Sequence, residues 1–299
     1  MGLLSGLEKF GLGQLETADL FQDDKKSRAE EILAQKQKAK EEREREEKKV
    51  HKETEYLLSK TMRCPVCDNI FRTQMVKTGR MKRLEPDFDL RPRFENIDTN
   101  KYDVCACPHC GYTSMHRYFP ALSPGQIKLL KENVMSKFTA DGPVSMEPVV
   151  TESTYEEAID AYKLSLYCTV VKKGAVSERA YTCLKIAWLY RGLTEKLLAE
   201  GENESEALEQ AKQGESSYYE QAYEGLQKAA SSEMFPLCGM DEDTFNILLA
   251  GMAFKLNKID IASRLVSAVL LSKKAGAAAK NRAYNLKEDI IAKIKKQSS

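Results

Sequence analysis

The chain has 299 residues, with 46 Lys and Arg against 45 Asp and Glu, and a mean hydropathy of -0.49. That length holds one large domain or two smaller ones with their own cores, and the near-zero net charge supplies no global field toward nucleic acid or membrane. Apolar stretches such as Ile247 to Ala253 are far short of a bilayer span, and the start has no basic segment followed by an apolar leader, so a cytoplasmic protein is expected.

Residues 1–22 form an apolar N-terminal segment, with Leu3, Leu4, Leu7, Phe10 and Leu15 interrupted by Gly6, Gly11 and Gly13. Glycine weakens a continuous helix, and Gly6 stands where a myristoylation signal needs Ser or Thr. The segment is expected to dock on a protein surface, since Lys9 alone is basic among Glu8, Glu16 and Asp19, which opposes anionic lipid. From Asp23 to Glu53 there are eleven Lys or Arg and ten Asp or Glu. Acid-first pairs one turn apart, such as Glu41 with Arg45, support a charged, solvated spacer helix over 23–58.

Residues 59–122 read as a small β module, with strand-like runs at 70–76 and 101–104 beside two cysteine pairs. Ser123-Pro124 opens a linker helix, and Asp141-Gly142-Pro143 closes the segment 123–149. From a capping box at Thr154 and Glu157, six helices are expected near 154–172, 176–200, 204–231, 242–257, 259–273 and 276–296. Leu249-Ala250, Phe254, Leu256-Asn257, Ile259 and Ala262 resemble a tetratricopeptide unit, although the first helices are longer than that repeat and its usual proline is missing. The expected fold is therefore α+β, mainly α: a zinc-ribbon-like β module, then a tetratricopeptide-like α-solenoid at 150–299, with a charged helix at the N-terminal side. The break near residue 142 suggests that 150–297 folds by itself without metal.

Cys64-Pro65-Val66-Cys67 and Cys107-Pro108-His109-Cys110-Gly111 are two metal knuckles, 39 residues apart. Each tight turn offers two thiolates, and four thiolates make a closed tetrahedral zinc site. Proline in both pairs and the lack of a thioredoxin-like βαβ setting favour metal over a redox dithiol. A closed site has no position for substrate or water, so one structural Zn2+ is expected and no catalytic residue is assigned. Cys105 lies close enough in sequence to be an alternative ligand. His51, His109 and His116 read as ordinary polar residues, and Cys168, Cys183 and Cys238 as small buried hydrophobes away from the knuckles.

Cys64-Pro65-Val66-Cys67, the segment Asp87-Phe88-Asp89-Leu90-Arg91-Pro92, and Tyr102 to Tyr112 together resemble the bacterial family called domain of unknown function 2225. The resemblance covers most of the chain. It implies zinc binding followed by tetratricopeptide-like helices, and no established activity. Asp68 departs from the glycine usual after the second knuckle cysteine, which implies a less regular first turn.

The leading functional reading is a non-enzymatic zinc-binding adaptor or scaffold for protein–protein interaction. The sequence contains none of the motifs G-x-x-x-x-G-K-[ST], G-x-S-x-G, H-E-x-x-H or G-x-G-x-x-G. The alternative is a nucleic-acid-binding ribbon, because residues 60–119 hold eleven basic against seven acidic residues, with Phe71, Phe88, Phe94 and Tyr102 among Lys77, Arg80, Lys82, Arg83, Arg91 and Arg93.

Overall fold

The computed structural model describes Lys36 and residues 51–139, 146–148 and 150–297. The apolar segment 1–22, the charged stretch 23–50 (Lys36 apart) and Asp141-Gly142-Pro143 lie outside the described residues. The described residues from 52 to 297 fall in one compact unit.

The β module is two antiparallel hairpins. Strands β1 (Leu57–Arg63) and β2 (Ile70–Val76) pair with Arg63 opposite Ile70, and β3 (Val104–Ala106) and β4 (Thr113–Met115) pair with Ala106 opposite Thr113. Each cysteine knuckle is the turn of one hairpin. Two expectations change here. The spacer helix does not reach residue 58, because Glu53–Tyr56 is a single 3-10 turn and Leu57 is drawn into β1, buried against Ile97 and Tyr102. Residues 101–104 are not one strand either. Asp98 caps a 3-10 turn over Thr99–Tyr102 by accepting from the Asn100 N–H at 3.0 Å, and the strand starts only at Val104.

The helices begin and end close to their sequence signals. Helix α1 (Pro124–Leu130) carries a capping box between Ser123 and Gln126, and α2 (Tyr155–Val171) one between Thr154 and Glu157. Then follow α3 (Val176–Ala199), α4 (Glu206–Ser232), α5 (Glu242–Lys255), α6 (Ile259–Leu271) and α7 (Ala277–Gln297). Ser205 and Asp241 cap α4 and α5 by accepting from the N–H groups of Leu208 and Thr244. Helices α2, α3 and α5 stop where Lys173, Gly201 and Asn257 turn left-handed, at φ of 53°, 88° and 59°. The N–H groups of Gly174, Glu202 and Lys258 then return to the carbonyls of Thr169, Leu197 and Ala253, which satisfies the last turn.

The closest helix neighbours are α2 with α3, α3 with α4, α5 with α6 and α6 with α7, and α5 also packs on α7. Helix α4 buries Leu208, Ala211, Tyr219, Ala222, Tyr223, Leu226 and Ala229, one face at helical spacing. Helix α5 is buried almost continuously from Ile247 to Ala253, because α4, α6, α7 and a loop from the β module surround it. Helix α2 joins the halves. Its Ala158, Ile159 and Tyr162 share a core with Met115 of β4, while its Cys168 lies in the core of the knuckles.

Candidate metal centre

The two knuckles have the same backbone. In the first, the Cys64 N–H donates to Asn69 O at 2.9 Å and the Asp68 N–H donates to Cys64 O at 2.9 Å; in the second, Cys107 and Tyr112 are joined likewise at 2.9 Å, and Gly111 with Cys107 at 3.0 Å. Asp68 and Gly111 occupy equivalent left-handed positions, at φ of 66° and 73°. The first turn is therefore as regular as the second, contrary to expectation. Asp tolerates this conformation better than most residues with a Cβ, and its carboxylate is held by Arg63 at 2.5 and 2.6 Å. Gly111 has no such freedom, because a Cβ there would overlap the Phe138 ring.

These turns bring Cys64, Cys67, Cys107 and Cys110 together, with all four sulfurs within 4.8 Å of one another. Cys64 Sγ lies 3.6 Å from Cys110 Sγ, and Cys67 Sγ 3.7 Å from Cys107 Sγ. A tetrahedral metal with bonds of about 2.3 Å to sulfur requires sulfur separations near 3.8 Å. The donor set fits such an ion. All four clustered cysteines but the half-buried Cys67 are buried, and the Asn69 side-chain N–H points at Cys67 Sγ from 3.6 Å.

Without a cation, four crowded thiols cannot all ionise. Hydrogen bonds from Cys107 and Cys110 hold Cys64 far down, to about 2, whereas hydrogen bonding to Cys107 and Cys64, with burial, pushes Cys110 well up. A dication reverses this, since its charge stabilises every coordinating thiolate.

Cys105 is not part of the cluster. It is fully buried on β3 opposite Ser114, and burial pushes its thiol up to about 12. His109 and His116 also lie outside it. Cys168 is a small buried residue as expected, yet it is not remote, since it sits in the knuckle core and its Sγ faces Gly111 O at 3.8 Å. Tyr112 and Phe119 stack at 4.8 Å in the same core, and Leu130 and Val134 close it from α1 and the π turn Lys131–Met135. Neither Asn69 nor Cys168 carried a sequence signal, because neither belongs to a spaced motif.

The profile of a bacterial family described as "Uncharacterized protein conserved in bacteria (DUF2225)" matches residues 57–290. The chain belongs to this family. Comparison with curated proteins and with solved structures returned no match. The matched region takes in both knuckles and all of α1 to α6, so the family unit is the β module and the helices together.

Between the knuckles lies the most densely charged part of this family unit. Asp89 is fully buried and accepts from Trp188 Nε1 at 3.1 Å and from Arg191 at 2.7 and 3.0 Å. Burial alone would raise its carboxyl, but hydrogen bonds and charge from Arg191 hold it below the usual range. Arg91 forms a two-pronged pair with Glu195 at 2.8 and 3.1 Å, and Arg93 reaches the same carboxylate at 2.9 Å. Lys101 pairs with Glu53 at 2.6 Å, and Lys82 with Glu95 at 3.4 Å. Phe71 and Tyr102 are buried. Arg91 and Lys101 thus spend their charge inside the fold, Lys82 pairs at the surface, and Phe71 and Tyr102 are not available for base stacking.

Proposed function

We propose that this protein is a non-enzymatic adaptor in which one structural zinc, held by Cys64, Cys67, Cys107 and Cys110, fixes a ribbon-like module to a helical array that contacts protein partners. The observation that carries this reading is the closed set of four sulfurs packed into a core shared with α2. Tetrahedral sulfur sites suit zinc or iron; zinc matches a site whose task is to hold the fold, and four thiolates leave no position for a reacting water. Paired helices with short connections, in the manner of tetratricopeptide arrays, offer a broad face for another chain. None of the described helices is long and apolar enough to cross a membrane, and thiolate ligands persist best in a reducing compartment such as the cytoplasm. The nucleic-acid reading loses support from the pairing of Arg91, Arg93 and Lys101 with carboxylates.

The test is metal analysis of freshly purified, reduced protein. About one zinc per chain is expected for wild type and for Cys105→Ser, and clearly less for Cys107→Ser. Iron with charge-transfer absorption in place of zinc, or no stoichiometric metal, overturns the assignment.

A further inference from the structure

Residues 82–95 leave the β module as a hairpin, bridged between Arg83 and Phe94 and closed where Leu90 N–H donates to Asp87 O at 2.9 Å. Its tip does not fold back on the module. It lies across the helices, with Asp89 on Trp188 and Arg191 of α3, and its backbone passes directly over Gly251 of α5, where a Cβ would overlap Phe88 O. Beyond Phe88 and Leu90 the face opens into a cavity of about 190 Å³ that reaches Leu286 and Asp289 of α7.

Ordinary helix packing uses apolar side chains on both sides. This face instead presents an indole N–H, a guanidinium and a glycine, which are the features that let an extended backbone approach and fix one carboxylate. Lys255 and Arg191 supply positive charge that Glu215, paired with both, only partly offsets; the Lys255 ammonium is 5.9 Å from the Phe88 ring centre and Arg191 5.4 Å from it. Phe88 is still 44% exposed, and Leu90 sits at φ 64°, a left-handed conformation that leucine rarely adopts. The tip is thus strained where a linear segment of another chain would not be.

We propose that the face formed by Trp188, Arg191, Gly251 and Lys255 is a recognition surface for protein segments of carboxylate–aromatic–carboxylate sequence, filled here in cis by Asp87-Phe88-Asp89 and opened when the metal leaves. Only the trigger rests on the metal-site reading. The hairpin lies within the 39 residues between the knuckles, so a bound metal ties together the two turns that flank this segment and helps to keep its local concentration on the face high. Such tethering excludes a free competitor. Metal loss loosens the clamp and lowers the effective concentration of the strained tip on the face, so that a free segment competes better.

Trp188 is the sole tryptophan and 2% exposed, so its emission reports on the strap. The experiment uses the full chain and a fluorescein-labelled peptide with the sequence of Glu85 to Arg91. Three forms are compared: zinc-loaded, chelator-treated, and zinc-loaded Phe88→Ala, which weakens the strap without touching a buried charge. The released forms are expected to shift Trp188 emission to the red and to bind the peptide at least about tenfold more tightly than loaded wild type, within the range by which tethering alters affinity. Adding Gly251→Val to Phe88→Ala should abolish that binding. Red-shifted forms that bind no better than loaded wild type overturn the surface. Metal removal without any emission change overturns the trigger. If the purified protein holds no metal, the metal-site reading falls, and the Phe88→Ala comparison still decides the surface.

Discussion

Replacing Asp89 with alanine tests how firmly the β module is tied to the helices. The substitution removes the acceptor of three hydrogen bonds, at 2.7, 3.0 and 3.1 Å, from a site with no solvent exposure. Breaking a buried pair typically costs about 3–5 kcal/mol because a charge is left uncompensated. Here Arg191 keeps Glu215 at 2.8 Å and Asp87 at 3.1 Å, so the lower end applies. The Trp188 N–H is left without its acceptor, which adds a desolvation cost of the order of 1 kcal/mol. The expected loss is therefore about 4 kcal/mol, or a fall in Tm of about 8–16 °C at about 2–4 °C per kcal/mol for a protein of this size. Differential scanning fluorimetry of the protein as purified, at pH 7, measures it. Asp160→Ala is the control, because Asp160 is 76% exposed and its pair with Lys163 lies on the surface, where such pairs contribute little. A loss below about 1 kcal/mol for Asp89→Ala, or equal effects of the two substitutions, would refute a strap anchored by buried charge.

Three further outcomes are expected. Gly111→Ala should weaken metal binding in chelator competition and cost at least about 1–2 kcal/mol for a Cβ in the left-handed region, with overlap on Phe138 in addition, whereas Asp68→Gly at the equivalent position should leave the site intact. The depressed carboxyl of Asp89, which faces Arg191, Trp188 and Lys255, stabilises the fold above the ordinary aspartate pKa near 3.9; as pH falls through the lower folded value the unfolded chain takes up the proton first, so urea midpoints should drop below about pH 4 and drop less steeply in Asp89→Asn. Residues 150–297 expressed alone should lose the cooperative near-UV circular dichroism transition, because Tyr162, Cys168 and Trp188 lose their cover from the β module; a cooperative transition like that of the full chain would show that the helices need no such cover.

The sequence by itself determined what depends on neighbours a few residues apart. Two Cys-Pro-x-Cys turns mark four candidate ligands because the spacing within each turn sets the direction of its sulfurs. The capping box at Thr154 and Glu157 and the stop signals at Lys173-Gly174, Gly201 and Asn257 put most helix ends within a residue or two, since caps and left-handed turns are local chemistry. Tertiary structure alone decided where the segment between the knuckles goes. Read along the chain, Arg91 and Arg93 resemble a basic patch; their partner Glu195 lies about a hundred residues away, and only packing reveals that the charges are spent. The same holds for Leu57, which joins a strand because β2 is there to pair with it, and for Cys168, which meets the second knuckle because α2 crosses the module. It holds also for Gly251, whose missing side chain has meaning only once the Phe88 backbone passes over it.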